Sequence, residues 1–272
     1  MRGEIRVPSL PGFQTVDHPG ARVLARREAV AWARYVLEGG ETLHENAARD
    51  RDAFQLPGRA PVWVVPGNTP AESTGAERQL RTRWAVRHFT RGGRIFPAVL
   101  GDRFFRFREL RPVVEIRISE GARARGIPTP RIVAAGVYEA GFFYRADLVT
   151  AFVPDTENLA ETLFDTRRKG AGGASERLDA LNATGALLRV MSGAGLQHRD
   201  LNAGNILLQW TGTSPSAHIL DLDRSRLLPE GSPARIRPML RRLSRSLRKW
   251  EGRTGLRLTD REWQTLDTAT MG

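Results

Sequence analysis

The stretch His-Arg-Asp-Leu-Asn-Ala-Gly-Asn, residues 198–205, decides how the rest of this chain is interpreted. It contains Asp200 and, five residues later, Asn205, and it leads into an apolar run at 206–208. A carboxylate at the first position can accept the proton of an attacking hydroxyl, while an amide oxygen at the second can bind a metal ion on phosphate groups. The spacing therefore lets one loop serve a nucleophile and a metal together.

This order of residue types, H-R-D-L-x-x-x-N, is typical of the catalytic loop of the protein-kinase fold. We predict an α+β, two-lobed protein-kinase-like fold, with a small β-rich N-lobe and a mainly helical C-lobe, that transfers a phosphoryl group from a nucleotide. His198 and Arg199 are expected to support the loop rather than to react. The alternative is that Asp200 caps a turn and that Asn205 is an ordinary loop residue.

A second motif, Ile-Leu-Asp-Leu-Asp, lies at 219–223. An apolar pair precedes Asp221, where kinases carry the magnesium-binding Asp of D-F-G. Carboxylates suit hard cations such as Mg²⁺, so Asp221 is a predicted metal ligand. Asp223 is expected either to bind the metal as well or to form a structural ion pair with Arg224 or Arg226.

The sequence Leu-Pro-Glu at 228–230 follows this second motif almost at once. Protein kinases carry a long activation segment between D-F-G and A-P-E, and a protein substrate normally docks on it. No such segment fits here. A small-molecule or glycan hydroxyl is therefore the predicted acceptor.

The composition favours an enzyme with anionic partners. The 272 residues carry a net charge of +12, and the basic residues are nearly all Arg, since Lys169 and Lys249 are the only lysines. Such charge suits nucleotides, anionic lipids or nucleic acid, although an arginine-rich coding bias is an alternative explanation. An aromatic content of 7 % argues against base stacking, so no nucleic-acid partner is expected. The absence of Cys excludes disulfides and is compatible with the cytoplasm.

Composition and periodicity predict the organisation of the chain. Residues 1–52 are expected to be an N-terminal extension with one helix over 21–37, irregular before it. A kinase-like N-lobe is predicted over 53–153 and a C-lobe over 154–272. Val153 precedes a proline at the predicted hinge.

Arg87 is the predicted phosphate-binding cation of the N-lobe. It ends the sequence Trp-Ala-Val-Arg, at the place where kinases read V-A-I-K and the Lys contacts the α- and β-phosphates. Arg can bind phosphate through two hydrogen bonds but is not equivalent to Lys. The alternative is that Arg87 is a surface residue of a strand.

Two glycine-containing segments are further candidates for phosphate contact. Gly58 and Arg59 stand in a predicted turn between two strands, where a kinase has its glycine-rich loop, although this segment taken alone favours a plain hairpin. Arg91 begins the sequence Arg-Gly-Gly-Arg, whose amides and guanidinium groups could contact phosphate or form a hairpin turn.

A helix predicted over 111–125 supplies the carboxylate that would orient Arg87. Glu115 and Glu120 are both candidates, and Glu115 has the more apolar neighbours. A solvated helix face is the alternative for either residue.

A basic helix is predicted over 235–250. Its apolar residues recur at helical spacing and are separated by seven cations: Arg235, Arg237, Arg241, Arg242, Arg245, Arg248 and Lys249. The cations are either the solvated face of a core helix or a contact with an anionic membrane or substrate.

Six segments taken together resemble the lipopolysaccharide kinases, and above all those that act on 3-deoxy-D-manno-octulosonic acid (Kdo). The segments are WAVRHFTRGG at 84–93, GIPTP at 126–130, YRADLVT at 144–150, DLNAGNIL at 200–207, DLDR at 221–224 and RSLRK at 245–249. The resemblance implies ATP- and Mg²⁺-dependent phosphorylation of a Kdo hydroxyl, the 4-hydroxyl in the family, on lipid-A-linked core sugar. It also implies a peripheral location on the cytoplasmic face of the inner membrane, in contact with an anionic surface.

The chain departs from this family at several positions. Leu222 replaces the Phe of D-F-D, Ala60 replaces the second glycine of G-R-G, and Gly204 stands where the family often has His. A soluble small-molecule kinase of aminoglycoside type and a pseudokinase or scaffold are therefore kept as alternatives. An acidic acceptor pocket would favour the first, and the altered turn and missing Lys favour the second.

Overall fold

The structure is a computed structural model that describes residues 5–56, 61–67, 82–90, 101–106, 109–165, 171–212 and 214–272. The chain divides into two compact units. The sheet unit comprises Met1–Arg117 and Arg131–Phe152, and the helical unit comprises Ile118–Pro130 and Val153–Gly272.

An antiparallel sheet organises the sheet unit. Its described strands are β1 (Gln14–His18), β2 (Ala21–Ala25), β3 (Phe54–Leu56), β4 (Val62–Pro66), β5 (Arg83–His88), β6 (Phe104–Phe105), β7 (Ile132–Ala140) and β8 (Phe143–Ala151). Their order is β1-β2-β7-β8-β5-β4-β3, and β6 also pairs with β8. The predicted strand containing Arg87 is confirmed as β5, where buried Trp84 and Val86 alternate with less buried neighbours.

The prediction for the first 52 residues was wrong in its secondary structure. The helix expected over 21–37 begins only at Val30, as α1 (Val30–Glu38), and 21–25 is strand β2, while α2 (Leu43–Arg49) adds a second helix. Val23 is completely buried where β2 pairs with β7, so tertiary packing outweighs the helix propensity of this arginine- and alanine-rich stretch. Residues 14–25 are consequently part of the sheet rather than an irregular extension.

The two faces of the sheet bury separate cores. Leu148 and Val149 are neighbours on β8 and point to opposite faces, so they join different cores. One core includes α1 and α2, and the other includes the beginning of α3 (Arg111–Ala124). Arg87 pairs with Leu148 and His88 with Asp147, which places Arg87 on the α3 face and His88 on the α2 face.

Helices and short strands form the helical unit. These elements are β9 (Thr156–Asn158), α4 (Leu159–Phe164), α5 (Ala171–Gly193), β10 (Leu196–His198), β11 (Ile206–Trp210), β12 (Pro215–Ile219), β13 (Ser225–Leu227), α6 (Ile236–Thr254) and α7 (Asp260–Met271). Strands β12, β11 and β9 form one sheet, and β10 pairs with β13. The predicted basic helix is confirmed as α6, which buries Met239, Leu243 and Leu247 in the core of this unit.

Candidate active site

The loop after β10 is held by hydrogen bonds from its own backbone. Asn202 Oδ1 accepts from Gly204 N at 2.9 Å and so caps the turn of 3₁₀-helix at Ala203–Asn205. Ala203 N donates to Ser246 Oγ on α6 at 3.1 Å. The apolar residues of α6 thus pack inward, while Ser246 on the same helix holds the loop that carries Asp200.

His198 connects this loop to the segment before Asp221. Asp200 N donates to His198 Nδ1 at 3.1 Å, and because an amide can only donate, Nδ1 carries no proton. The proton therefore lies on Nε2, 3.3 Å from the carbonyl oxygen of Leu220. Burial lowers the pKa of His198, which favours this neutral form. His198 thus has the supporting geometry expected from its sequence position.

Asn205 and Asp221 lie at two backbone segments that are joined directly. Leu220 N donates to the carbonyl oxygen of Asn205 at 2.8 Å, which brings the end of the loop at 198–205 beside the residue before Asp221. Asp221 itself adopts a left-handed backbone, with φ 60° and ψ 63°. Only a few per cent of non-glycine residues do so, and such strain tends to occur at functional positions.

This donor set fits a magnesium ion that is shared with a nucleotide. Asn205 Nδ2 is 3.5 Å from the carbonyl oxygen of Asp200, so the amide oxygen is the atom that could take a cation. Asp221 adds a carboxylate, and Mg²⁺ usually takes one or two carboxylates and completes its shell with phosphates and water. Within the described ranges no group of three or more His, Asp or Glu side chains could hold a metal by itself.

Two arginines flank Asp200. Arg224 Nη1 lies 3.4 Å from Asp200 Oδ2, and Arg242 Nη1 lies 3.6 Å from Oδ1. All three side chains are about half exposed, with Asp200 at 52 %. Sequence reasoning placed Arg224 beside Asp223 and Arg242 within a charged helix face, and it missed that both face Asp200. No local signal in the sequence reports this contact, because it joins residues 24 and 42 positions away.

Arg87 and Glu115 form an ion pair within the sheet unit. Arg87 Nη2 lies 2.5 Å from Glu115 Oε2, and the Glu115 side chain is only 5 % exposed. The Arg87 guanidinium also lies 4.5 Å from the centre of the Phe89 ring. Glu120, the other candidate carboxylate, belongs to the part of α3 in the helical unit.

A charged cluster on the other face of β5 was not predicted. His88 Nδ1 lies 2.6 Å from Asp147 Oδ1, and Nε2 lies 3.0 Å from Asp102 Oδ2. Burial acts to lower the pKa of His88, but the hydrogen bonds and charges of Asp147 and Asp102 outweigh it and raise the pKa. Asp147 is fully buried and also accepts from His44 N at 2.9 Å. An Asp inside the apolar strand β8 is the sequence signal that could have revealed it, since such a group needs partners.

Three sequence candidates lie outside the described residues. They are Gly58, Arg59 and Arg91. Their expected phosphate contacts remain predictions. Asp223 is described, lies directly before Arg224 and is partly exposed in the short 3₁₀ turn after Asp221.

The described fold and loop are those of a protein-kinase-like phosphotransferase. A neutral His fixes the loop that carries Asp200, and the end of that loop is joined to the segment of Asp221. A sequence model of the Lipopolysaccharide kinase (Kdo/WaaP) family matches residues 65–269. The chain belongs to this family, and it is a kinase that phosphorylates a sugar hydroxyl of the lipopolysaccharide core.

Curated relatives agree with this assignment. The 3-deoxy-D-manno-octulosonic acid kinase of Actinobacillus succinogenes is 30 % identical over 187 residues, 67 % of this chain and 72 % of that protein. The kinase of the same description from Haemophilus influenzae is 29 % identical over 190 residues, 68 % of this chain and 74 % of that protein. One from Photobacterium damsela subsp. piscicida is 28 % identical over 212 residues, covering 77 % and 78 %.

A solved structure supports the fold. The structure described as WaaP in complex with acyl carrier protein is 16 % identical, with a TM-score of 0.52 over 92 % of this chain and 88 % of that chain. The predicted α+β protein-kinase-like fold is thereby confirmed. Among the helices that the structure describes, none combines the length and apolarity needed to cross a membrane.

Proposed function

We propose that the chain transfers the γ-phosphoryl group of ATP, with Mg²⁺, to the 4-hydroxyl of Kdo in the lipid-A-linked inner core. The observation that carries the proposal is the linkage from Asp200 through His198 to Leu220, and from Leu220 to Asn205. These contacts join the backbone of the proposed base to the backbone segments that carry the proposed metal ligands. Family membership and the Kdo kinases among the relatives support the acceptor.

Each residue has a proposed role in this reaction. Asp200 accepts the proton of the acceptor hydroxyl as its oxygen bonds to the γ-phosphorus and ADP leaves. Asn205 and Asp221, with Asp223 as a further candidate, would hold the Mg²⁺, which neutralises charge on the phosphates when bound. Arg87 would contact the phosphates, with Glu115 fixing its guanidinium.

We further propose a peripheral location on the cytoplasmic face of the inner membrane. The proposed acceptor is attached to a lipid, so the enzyme must meet a membrane surface. Arg237, Arg241, Arg245, Arg248 and Lys249 are all exposed on α6, and each cation near an anionic surface adds about 1 kcal/mol of attraction. Sedimentation of the protein with anionic and with zwitterionic vesicles tests this location. We expect the protein to sediment with the anionic vesicles alone.

A transfer assay with radiolabelled ATP tests the reaction. The acceptors are Kdo-lipid A, the same glycolipid with 4-deoxy-Kdo, and a generic protein. Each acceptor is incubated with the wild-type enzyme and with Asp200→Ala. We expect label on Kdo-lipid A only, with none on the 4-deoxy acceptor, and label at least about 100-fold weaker from the variant. Label on the 4-deoxy acceptor would contradict the assignment of the 4-hydroxyl, and label on protein alone would contradict the sugar acceptor.

A further inference from the structure

Asp200 has an electrostatic environment that folding stability does not explain. Each of its carboxylate oxygens faces a separate guanidinium, at 3.4 Å for Arg224 and 3.6 Å for Arg242. All three side chains are about half exposed. Ion pairs of this kind contribute little to stability because water screens them. The two arginines also occupy the oxygens that must accept the hydroxyl proton.

Cations are concentrated around Asp200, and the nearby carboxylates of Asp221 and Asp223 are the proposed ligands of a metal ion that would offset their charge. Two guanidinium groups oppose one carboxylate, and Arg199, next to Asp200 in sequence, is exposed. Arg245 is exposed as well and stands three residues after Arg242, on the same side of α6. Such a surface repels a cationic acceptor of the aminoglycoside type and attracts an anionic one.

The two arginines are held in place from different directions. Arg224 ends the 3₁₀ turn that follows Asp221. Arg242 belongs to α6, which is joined to the catalytic loop by the hydrogen bond from Ala203 N to Ser246 Oγ. The distance between the two guanidinium groups is therefore set by the turn after Asp221 and by the packing of α6 on the loop.

We propose that Arg224 and Arg242 bind an oxyanion of the acceptor sugar and thereby place its hydroxyl at Asp200. This inference rests on the proposed function. An octulosonic acid carries a carboxylate at neutral pH, and guanidinium groups bind carboxylates and phosphates through paired hydrogen bonds. As the acceptor oxyanion takes up the arginines, they withdraw from Asp200, whose oxygens then accept the hydroxyl proton. The pair selects anionic acceptors and makes the base available only when one is bound.

Acceptor pairs that differ in one charge test this assignment. The probes are the soluble methyl glycoside of Kdo, its uncharged carboxamide and Kdo-lipid A. For Arg242→Ala and Arg224→Ala we expect kcat/KM on the carboxylate glycoside to fall roughly 10- to 100-fold, mainly through KM. We expect no loss on the carboxamide and an unchanged KM for ATP. Arg253→Ala removes an exposed charge from the same helix and should match wild type on every acceptor.

The outcomes tell a sugar carboxylate from a glycolipid phosphate as the source of the oxyanion. They also tell a failure of the arginine assignment from a failure of the proposed function. A selective loss on the soluble carboxylate assigns the oxyanion to the sugar acid, and a loss confined to Kdo-lipid A assigns it to a glycolipid phosphate. Equal losses on carboxylate and carboxamide, or no loss on any acceptor, overturn the assignment. Wild type that phosphorylates none of these acceptors overturns the proposed function and this inference with it. Arg242→Lys, which keeps the charge and should retain part of the discrimination, guards against a folding defect.

Discussion

Arginine pairs with a carboxylate in both units, but in two different ways. In the sheet unit, Glu115 is 5 % exposed and lies 2.5 Å from Arg87. In the helical unit, Asp200 is 52 % exposed and its arginines are 3.4 and 3.6 Å away. Breaking the first pair disrupts a close contact to a carboxylate that water barely reaches, whereas the second can exchange partners with solvent or a ligand at little cost. Close burial suits a residue that must stay oriented, and loose exposure suits one that must change partners.

Removal of Asp200 should have the largest effect on activity and almost none on stability. Asp200→Ala is expected to lower kcat on Kdo-lipid A by about 10²- to 10⁴-fold, since a positioned base contributes that much. Steady-state kinetics and thermal unfolding measure the two quantities. Asp267→Ala, an exposed carboxylate on α7, is the matched control and should change neither. A variant that keeps most of its activity would remove Asp200 from the role of base.

Removal of Glu115, in contrast, should lower the stability of the fold measurably. Glu115→Ala removes the buried carboxylate that holds Arg87, whose own side chain is 28 % exposed, and is expected to lower the free energy of unfolding by about 1–3 kcal/mol, with a higher KM for ATP. Urea unfolding measures the first effect. The control is Glu109→Ala, which breaks the exposed ion pair with Arg117 and should cost less than about 1 kcal/mol. Equal losses for the two variants would show that burial does not distinguish these pairs.

The histidines of the two units should respond to pH in opposite directions. The raised pKa of His88 means that its charged form stabilises the fold at low pH. This contribution is complete below the unfolded value of 6.5 and is lost as the pH rises through the folded pKa, with a slope of at most about 1.4 kcal/mol per pH unit. Urea unfolding between pH 6 and 9 should show this loss in wild type and not in His88→Gln. The partly exposed His18→Gln, on β1, is the control, and an unchanged slope in His88→Gln would refute the prediction.

His198 should give an effect of the reverse sign. Its pKa is lowered, so the unfolded chain binds the proton more readily, and stability falls as the pH drops below 6.5. In His198→Asn the pH dependence below 6.5 should weaken, because Asn can still accept from Asp200 N but does not titrate. Comparison of urea unfolding at pH 5.5 and 7.5 tests this. A steeper dependence in the variant would show that His198 is not held neutral.

Sequence patterns predicted best where chemistry fixes the spacing. The loop at 198–205, strand β5 and the predicted helix carrying Glu115 are all seen in the structure, because local residue types determine them. The N-terminal strands were missed although Pro19 and Gly20, with φ 77° at Gly20, form the turn between β1 and β2. Arginines and alanines in that stretch favour a helix, and pairing with a strand more than a hundred residues away overrides them.

Long-range partners account for the rest of what the sequence did not reveal. The partner of Asp147 can be identified only from the sheet register, which places Asp147 opposite His88. Arg242 reaches Asp200 because α6 packs against the loop. No local pattern contains either contact, since each depends on how separate elements pack.

The backbone of Asp221 has a consequence for engineering this enzyme. A left-handed conformation costs most non-glycine residues about 1–2 kcal/mol and costs Asp less, since its short side chain can hydrogen-bond locally, whereas glycine adopts it without strain. Relief of this strain is one reason for a screen that rewards only thermal stability to accept Asp221→Gly, and such a screen would discard the proposed metal ligand. Stability and catalysis make opposite demands on this one position, so any stabilised version of the chain needs activity as a second criterion at residue 221.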